Sequence, residues 1–297
     1  MDVQRIKKLL EAQEQAHVLR WWDELDEGGQ KKLLDQIDHI DWNLLPLATQ
    51  HKQAARGKIE PIDGLDLEEI EKDRSQYLAV GKEAVRAGKV AAVLLAGGQG
   101  TRLGNDAPKG TFDIGITRHL SIFEQLICNL QEAVTQCGGI VPLYIMTSES
   151  NDAATRSFFE KNNYFGYPAE QIKFFRQEMA PAVNLDGKLL MSAKDSLALS
   201  PNGNGGWYSS LVRAGLAAEA ERRGVEWFNV FAVDNVLQRM ADPVFVGATI
   251  LSGKATGAKF VRKAYPEERV GVLCLEDGKP GVIEYYEIDE KMANLRD

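Results

Sequence analysis

Up to about residue 87, apolar residues recur every three or four positions; from residue 89 onward they bunch into short continuous runs. Ile6, Leu9 and Leu10, then Val18, Leu19, Trp22 and Leu25, then Leu33, Leu34 and Ile37 fall at the spacing of one helix face among charged residues. The turn formers of 58–66 end this region, and a further helix is predicted over 67–87, closed by Gly88. Trp21, Trp22 and Trp42 sit at helical spacing, so packing is expected of them rather than stacking on a ligand. Beyond residue 89 the runs predict strands over 90–95, 141–147, 172–176, 227–233, 258–262, 270–275 and 281–286. Helices are predicted between several of them, over 121–136, 153–161, 208–223 and 243–252. Strands alternating with helices predict an α/β fold with a Rossmann-like, mixed but mostly parallel sheet. Glu276-Asp277-Gly278 predicts a hairpin between the last two strands, because Asp-Gly suits a two-residue turn. The expected organisation is an N-terminal helical region, 1–88, followed by one α/β domain over 89–297.

Composition narrows the partners. With 297 residues, 44% of them hydrophobic, the chain can bury a substantial core. No apolar stretch approaches the roughly 20 residues that span a bilayer, and the N-terminus leads into a charged helix, so no membrane association and a cytoplasmic location are expected. The net charge of −8 argues against nucleic acid as a partner, since polyanions need a basic surface. Cys128, Cys137 and Cys274 lack any CxxC spacing and the four His are scattered; this supports neither a disulfide framework nor a zinc site, and the cysteines are expected to be buried or reduced.

One segment carries chemistry. The apolar run Val93-Leu94-Leu95-Ala96 feeds Gly97-Gly98-Gln99-Gly100-Thr101-Arg102-Leu103-Gly104-Asn105-Asp106-Ala107-Pro108-Lys109-Gly110, so that a buried strand delivers backbone N–H groups, an Arg and a Lys to one loop. That is how a protein cradles a polyphosphate, and the segment reads as a nucleoside triphosphate site. It is not a dinucleotide fingerprint: the spacing is Gly98-x-Gly100-x-x-x-Gly104, Pro108 interrupts the expected helix, and the region around Leu120 is not acidic. Nor is it a Walker loop, because no Gly precedes Lys109 and no hydroxyl follows it. A Gly-rich turn that merely reverses the chain is the ordinary alternative, and Arg102 and Lys109 within the loop weigh against it. Two further segments on the expected carboxyl side of the sheet are Ser200–Gly206 and Val233-Asp234-Asn235. Asp234, ending an apolar run, is placed to bind a metal ion or to cap the following turn.

The loop LLAGGQGTRLGxxxPKG resembles the signature of the UDP-sugar pyrophosphorylase family, in particular its UDP-N-acetylhexosamine pyrophosphorylase branch. Further segments resemble the family's motifs in the family's order: Phe174-Phe175-Arg176-Gln177 with Met179-Ala180-Pro181-Ala182, Ser200-Pro201-Asn202-Gly203-Asn204-Gly205-Gly206, Val233-Asp234-Asn235 with Ala241-Asp242-Pro243, and Val270-Gly271-Val272 with Ile283-Glu284-Tyr285. Asp41-Trp42 and Ile59-Glu60-Pro61 resemble its N-terminal helical region, so the likeness covers essentially the whole chain. The resemblance implies a GT-A-like nucleotidyltransferase fold and a uridylyltransferase reaction. A sugar 1-phosphate, most simply N-acetylglucosamine 1-phosphate, attacks the α-phosphorus of UTP in line, and pyrophosphate leaves. It implies Gly97, Gly98, Gly100, Thr101, Gln177 and Gly203 around the nucleotide and Arg102 and Lys109 as catalytic cations. Asp234 would hold Mg²⁺, and Asn204, Gly271 and Glu284 would line the sugar. Without the resemblance, Gln177 reads as a strand-end polar residue, Asn204 as a turn former and Glu284 as the solvated face of a hairpin.

The sequence departs from the family pattern at Asn202, where many relatives have Asp, and at Glu178, where Gly is usual. In the family an Asn-rich sugar-binding stretch, strands carrying a second phosphate-contacting Lys and a C-terminal domain follow, whereas this sequence reaches Asp297 soon after Glu284. The domain is therefore expected to be incomplete at its C-terminus. The alternatives are a truncated nucleotide-binding remnant or partner-dependent half with little activity, a UTP–glucose-1-phosphate uridylyltransferase, or a related fold using another nucleotide.

Overall fold

The computed structural model describes residues 3–43, 45–46, 56–98, 104 and 107–293. It forms two compact units, Met1–His51 with Glu83–Asp242, and Lys52–Lys82 with Pro243–Asp297.

In the first unit, α1 (Val3–Ala12) and α2 (Glu27–Asp38) follow the helical spacing, and Asp26 starts α2 by accepting from the Gly29 N–H. Their apolar faces meet at Ile6, Leu10, Val18, Leu33, Leu34 and Ile37, and the cluster is completed by Leu189 and Leu197 from far along the chain. Trp22 and Trp42 pack against it as expected, whereas Trp21 carries the Arg20 guanidinium over its ring at 3.6 Å. The junction is made by Gln15, which is buried: its amide donates to the Gly187 carbonyl and accepts from the Leu189 N–H, each at 2.9 Å.

The sheet of this unit is built from β1 (Val90–Leu95), β2 (Leu143–Thr147), β3 (Ile172–Arg176) and β4 (Trp227–Ala232), all parallel, in the order β3-β2-β1-β4. Both central strands are apolar throughout because both faces are covered. One face packs Ala91, Val93, Tyr144, Met146 and Phe175 against Leu211 and Ala220. The connecting helices are α3 (Ile122–Cys137), α4 (Asp152–Lys161), α5 (Trp207–Arg213) and α6 (Leu216–Arg222). The single helix expected over 208–223 is two helices, because Gly215 takes a left-handed conformation at φ +75° that ends one and starts the next. The chain runs β1 to β2 to β3 on one side and returns to β4 on the other. The crevice between the carboxyl ends of β1 and β4 is thus the switch point where such sheets bind ligands.

In the second unit the helix expected over 67–87 is also divided, at Asp73, into Leu67–Lys72 and Arg74–Arg86. A capping box between Asp66 and Glu69 opens the first part. The predicted hairpin is present: Val272–Glu276 pairs antiparallel with Lys279–Ile283 around Asp277 and Gly278, at φ +50° and +76°. Ile59–Glu60, read from sequence as part of a turn-rich link, adds a third strand to it. Arg56 bridges Glu276 and Glu287 there. The strand expected over 258–262 has no ladder among the described residues, and Phe260 and Val261 are exposed. β-branched and aromatic residues favour a strand only where another strand takes up its backbone hydrogen bonds. Among the described residues no helix is long and apolar enough to cross a membrane, and none of the three cysteines is joined in a disulfide, Cys128 being exposed and the others buried.

Candidate active site

The glycine loop leaves the end of β1 where Ala96 donates its N–H to the Met146 carbonyl. Gly97 and Gly98 follow; Gly100, Thr101 and Arg102 lie outside the described residues. The loop returns at Lys109, whose N–H donates to the Gly98 carbonyl at 3.3 Å. Lys109–Thr111 forms a tight 3₁₀ turn. Gly110 is required in it, since a Cβ there would stand 2.2 Å from the buried ring of Phe123. That close approach aims Lys109: its Nζ reaches the Asp234 carboxylate at 2.6 Å, across 125 positions of sequence. Asp234 follows β4, where the Val233 N–H donates to the Leu95 carbonyl, so the two strands that flank the crevice supply the pair. The Asp234 carboxylate is largely exposed and caps no backbone N–H among the described residues.

Gln177 closes another side. Its backbone continues β3 by donating to the Thr147 carbonyl, and its buried amide lies over Gly97, where a Cβ would stand 3.1 Å from it. Among the described residues that amide has no hydrogen-bond partner, so its donor and acceptor are available to a ligand. The Ser200–Gly206 loop is hung beside it, because the Asn202 N–H donates to the Glu178 carbonyl at 3.1 Å. Gly203 there has φ +82°. At Gly98 and Gly203 a Cβ would meet nothing within 4 Å among the described residues, so packing does not demand glycine at Gly98, and bare backbone faces open space at both. Asn204 is exposed on this loop, while the Asn202 amide fills the space over Gly206.

Lys109, Asp234, Gln177, Gly97, Gly98, Gly203 and Asn204 thus belong to the first unit. Gly271 and Glu284 belong to the second and adjoin one another: a Cβ on Gly271 would stand 3.6 Å from the Glu284 carboxylate. Glu284 shares a capping box with Glu287 at the start of a short 3₁₀ turn. Among the described residues no three His, Cys, Asp or Glu gather to enclose a metal ion. A divalent ion at Asp234 would have one protein carboxylate and would draw its other oxygens from a ligand, which suits Mg²⁺.

Two supports were not legible in the sequence. Asn151 looks like a helix cap in Ser148-Glu149-Ser150-Asn151-Asp152, yet it makes no cap bond. Instead its buried amide donates to the Ala96 carbonyl at 2.9 Å and the Gly98 carbonyl at 3.2 Å and accepts from the Ser148 N–H. It ties the glycine loop to the end of β2. Asp152 beside it is buried, which opposes ionisation, but hydrogen bonds from Arg156, Thr147 and Arg176 outweigh burial and hold its carboxyl below the ordinary value. After the Lys109 turn, the N–H groups of Leu120 and Gly115, together with His119, hold the Asp113 carboxyl down to about 2 and pin the loop that enters α3.

A family model described as UTP–glucose-1-phosphate uridylyltransferase matches residues 35–297. Over 99% of its length the chain is 38% identical to the UDP-N-acetylhexosamine pyrophosphorylase-like protein 1 of Homo sapiens, covering 62% of that protein. It is 37% identical to the UDP-N-acetylglucosamine pyrophosphorylase of Saccharomyces cerevisiae, over 95% of the chain and 64% of the relative. Among solved structures, the uridine diphosphate N-acetylglucosamine pyrophosphorylase of Trypanosoma brucei, determined with an inhibitor, superposes with a TM-score of 0.83 at 30% identity, over 98% of this chain and 62% of that one. The UDP-glucose phosphorylase of the same organism shares the fold, with a TM-score of 0.66 at 16% identity. The chain spans about three fifths of the length of these relatives.

Proposed function

This chain belongs to the UTP–glucose-1-phosphate uridylyltransferase family, and on that premise we propose that it binds UTP at the β1–β4 crevice and joins its uridylyl group to a sugar 1-phosphate, releasing pyrophosphate. The observation that carries the reading is the cation–carboxylate pair Lys109–Asp234 at the switch point, beside bare glycine backbone and a Gln177 amide with no hydrogen-bond partner among the described residues. The Gln177 amide offers a donor and an acceptor to the imide edge of uracil. Gly97 and Gly98 let the nucleotide approach the backbone, which Asn151 holds in place. The charge arrangement suits a reaction in which the protein supplies position and neutralisation and forms no covalent bond to the substrate. Lys109 leaves Asp234 for the α-phosphate and the departing pyrophosphate, a short swing for a flexible ammonium. Arg102 adds a second cation, and Gly100 and Thr101 surround the triphosphate. A divalent ion at Asp234, which we take to be Mg²⁺, would neutralise phosphate oxygens when bound.

For the acceptor we propose N-acetylglucosamine 1-phosphate, and we assign to the sugar Asn204 of the first unit and Gly271 and Glu284 of the second. The names of the most similar relatives and of the T. brucei structure support this sugar over glucose. The test has two parts. UTP, ATP, GTP and CTP are compared by thermal shift, and UTP is expected to stabilise the chain most; equal stabilisation by all four overturns the uridine assignment. Pyrophosphate release is then followed with N-acetylglucosamine 1-phosphate and glucose 1-phosphate, the former being preferred. UTP-selective stabilisation without release from either sugar would keep the nucleotide part of the reading and remove the transferase part.

A further inference from the structure

The edge of the parallel sheet at β3 carries a feature that the nucleotide reading does not use. An open groove of about 590 Å³ lies at this edge, lined from α4, β3 and α5. Arg156 from α4, Arg176 at the end of β3 and Arg213 at the end of α5 line it, together with Asp152, Glu178 and Phe174. Three guanidinium groups thus face two carboxylates, a local excess of positive charge in a chain whose net charge is −8.

The arginines are held in a consistent way. Arg156 meets the buried Asp152 carboxylate through Nε at 2.9 and 3.0 Å, and its Nη2 donates to the Phe174 carbonyl at 3.2 Å. Arg176 reaches the same carboxylate through Nε and Nη2, both at 3.2 Å, while Thr147 Oγ1 donates to it at 2.6 Å. Arg213 is paired with Glu178 through Nε, and Ser209 Oγ donates to the other oxygen of Glu178 at 2.9 Å. Arg156 and Arg176 are thus oriented from behind by hydrogen bonds, and Arg213 by an ion pair alone. Among the described residues, Nη1 of Arg156, Nη1 of Arg176 and both Nη atoms of Arg213 carry no hydrogen bond. Fixed guanidinium groups with unused N–H donors match the several oxygens of a phosphate group. The groove is distinct from the site under Gln177, whose amide lies over Gly97.

We propose that this groove is a second binding site, taking a phosphomonoester of about hexose size: the phosphate on the three arginines, the organic body along Phe174 and Ala214. The volume exceeds what a bare phosphate fills, and the rim offers apolar as well as charged surface. Glucose 6-phosphate is the probe, titrated calorimetrically into the Lys109→Ala chain, which weakens competing phosphate binding at the crevice. Saturable binding is expected, with an affinity reduced about tenfold or more in Arg176→Gln/Arg213→Gln, since each lost guanidinium removes a charge-assisted bond. Arg213→Gln alone does not touch the buried Asp152 and should still weaken binding measurably, while Arg213→Lys, which keeps a cation beside Glu178, should weaken it less. Glucose should not bind, and inorganic phosphate should bind more weakly than the ester. Absence of binding, equal affinity in wild type and Arg213→Gln, or phosphate binding as tightly as the ester each overturns the proposal, the first meaning that the arginines only close the sheet edge. Repeating the titration with UTP present separates the two sites: displacement by UTP overturns a distinct groove site, whereas a chain that ignores UTP but binds glucose 6-phosphate loses the nucleotide reading and keeps this one.

Discussion

Lys109 and Glu284 are both charged side chains on short 3₁₀ turns, the first on one and the second at the start of one, yet they are held differently. Lys109 stands on a turn wedged against a buried phenylalanine, and it answers to a carboxylate from another strand of a sheet covered on both faces. Glu284 follows an antiparallel hairpin whose second strand is mostly exposed, and its nearest tie is a capping box with Glu287, three positions on. The difference teaches where position is imposed by tertiary packing and where it is set by neighbours in sequence. At the β1–β4 crevice, distant segments converge and a substitution should be felt in chemistry. At the hairpin, local bonds can re-form, and a substitution should be felt mainly by the ligand group that touches it.

The contrast is open to test, and the largest effect belongs to Lys109. Lys109→Ala should lower the rate of pyrophosphate release by about 10²–10³, the usual cost of removing one group aimed at developing charge, while UTP affinity changes less. A rate left intact would remove Lys109 from the chemistry and with it one side of the comparison. Asn151→Ala comes next. It leaves the Ala96 carbonyl without its side-chain donor and the Gly98 carbonyl with the Lys109 N–H alone, which should cost about 1–3 kcal/mol in unfolding free energy and weaken UTP binding through the loop. Chemical denaturation paired with UTP titration measures both; a stability loss with UTP affinity unchanged would mean that the glycine loop does not need this tie.

The acid limb of the stability curve carries a smaller effect. The folded Asp152 carboxyl lies below its ordinary value of 3.8, so its contribution to stability is complete above about pH 4 and fades as pH falls through the lowered folded value. Melting temperature should therefore drop on acidification below about pH 4, and Asp152→Asn should flatten that drop. An acid limb of the same steepness in the variant would assign it to other carboxylates, Asp113 first among them. The smallest effect is expected at the hairpin: Glu284→Gln should raise the KM for the sugar 1-phosphate by only a few fold, about the worth of one hydrogen bond, with UTP affinity unaltered. A loss at Glu284 as large as that at Lys109 would erase the distinction between the two regions.

Much of the first unit was legible in the sequence. Val90–Leu95 falls where its apolar run places it, because a strand buried on both faces has to be continuously apolar, and the edge strand Ile172–Arg176 also falls where expected although Lys173 and Arg176 interrupt its apolar residues. The glycine loop was legible because glycines beside an Arg and a Lys have few purposes in common. The division at Gly215 was less so, since one glycine interrupts helical periodicity without erasing it. The segment 258–262 misled for a complementary reason: its apolar pattern is that of a strand, but pattern does not supply a partner. Asn151 was hidden behind a more ordinary role, because its neighbourhood reads as a helix start and the carbonyls it meets are more than fifty positions away.

The sequence by itself determined the class of fold and the family, and it singled out the glycine loop as the candidate for phosphate. These rest on local composition and spacing, which report how each segment is buried. Only the tertiary structure decided that Lys109 is met by Asp234, that the Gln177 amide covers Gly97, and that three arginines share one sheet edge. Such meetings depend on strand order and on which loop ends at which crevice, and the free energy that selects them comes from packing between segments too far apart in sequence for any local pattern to record.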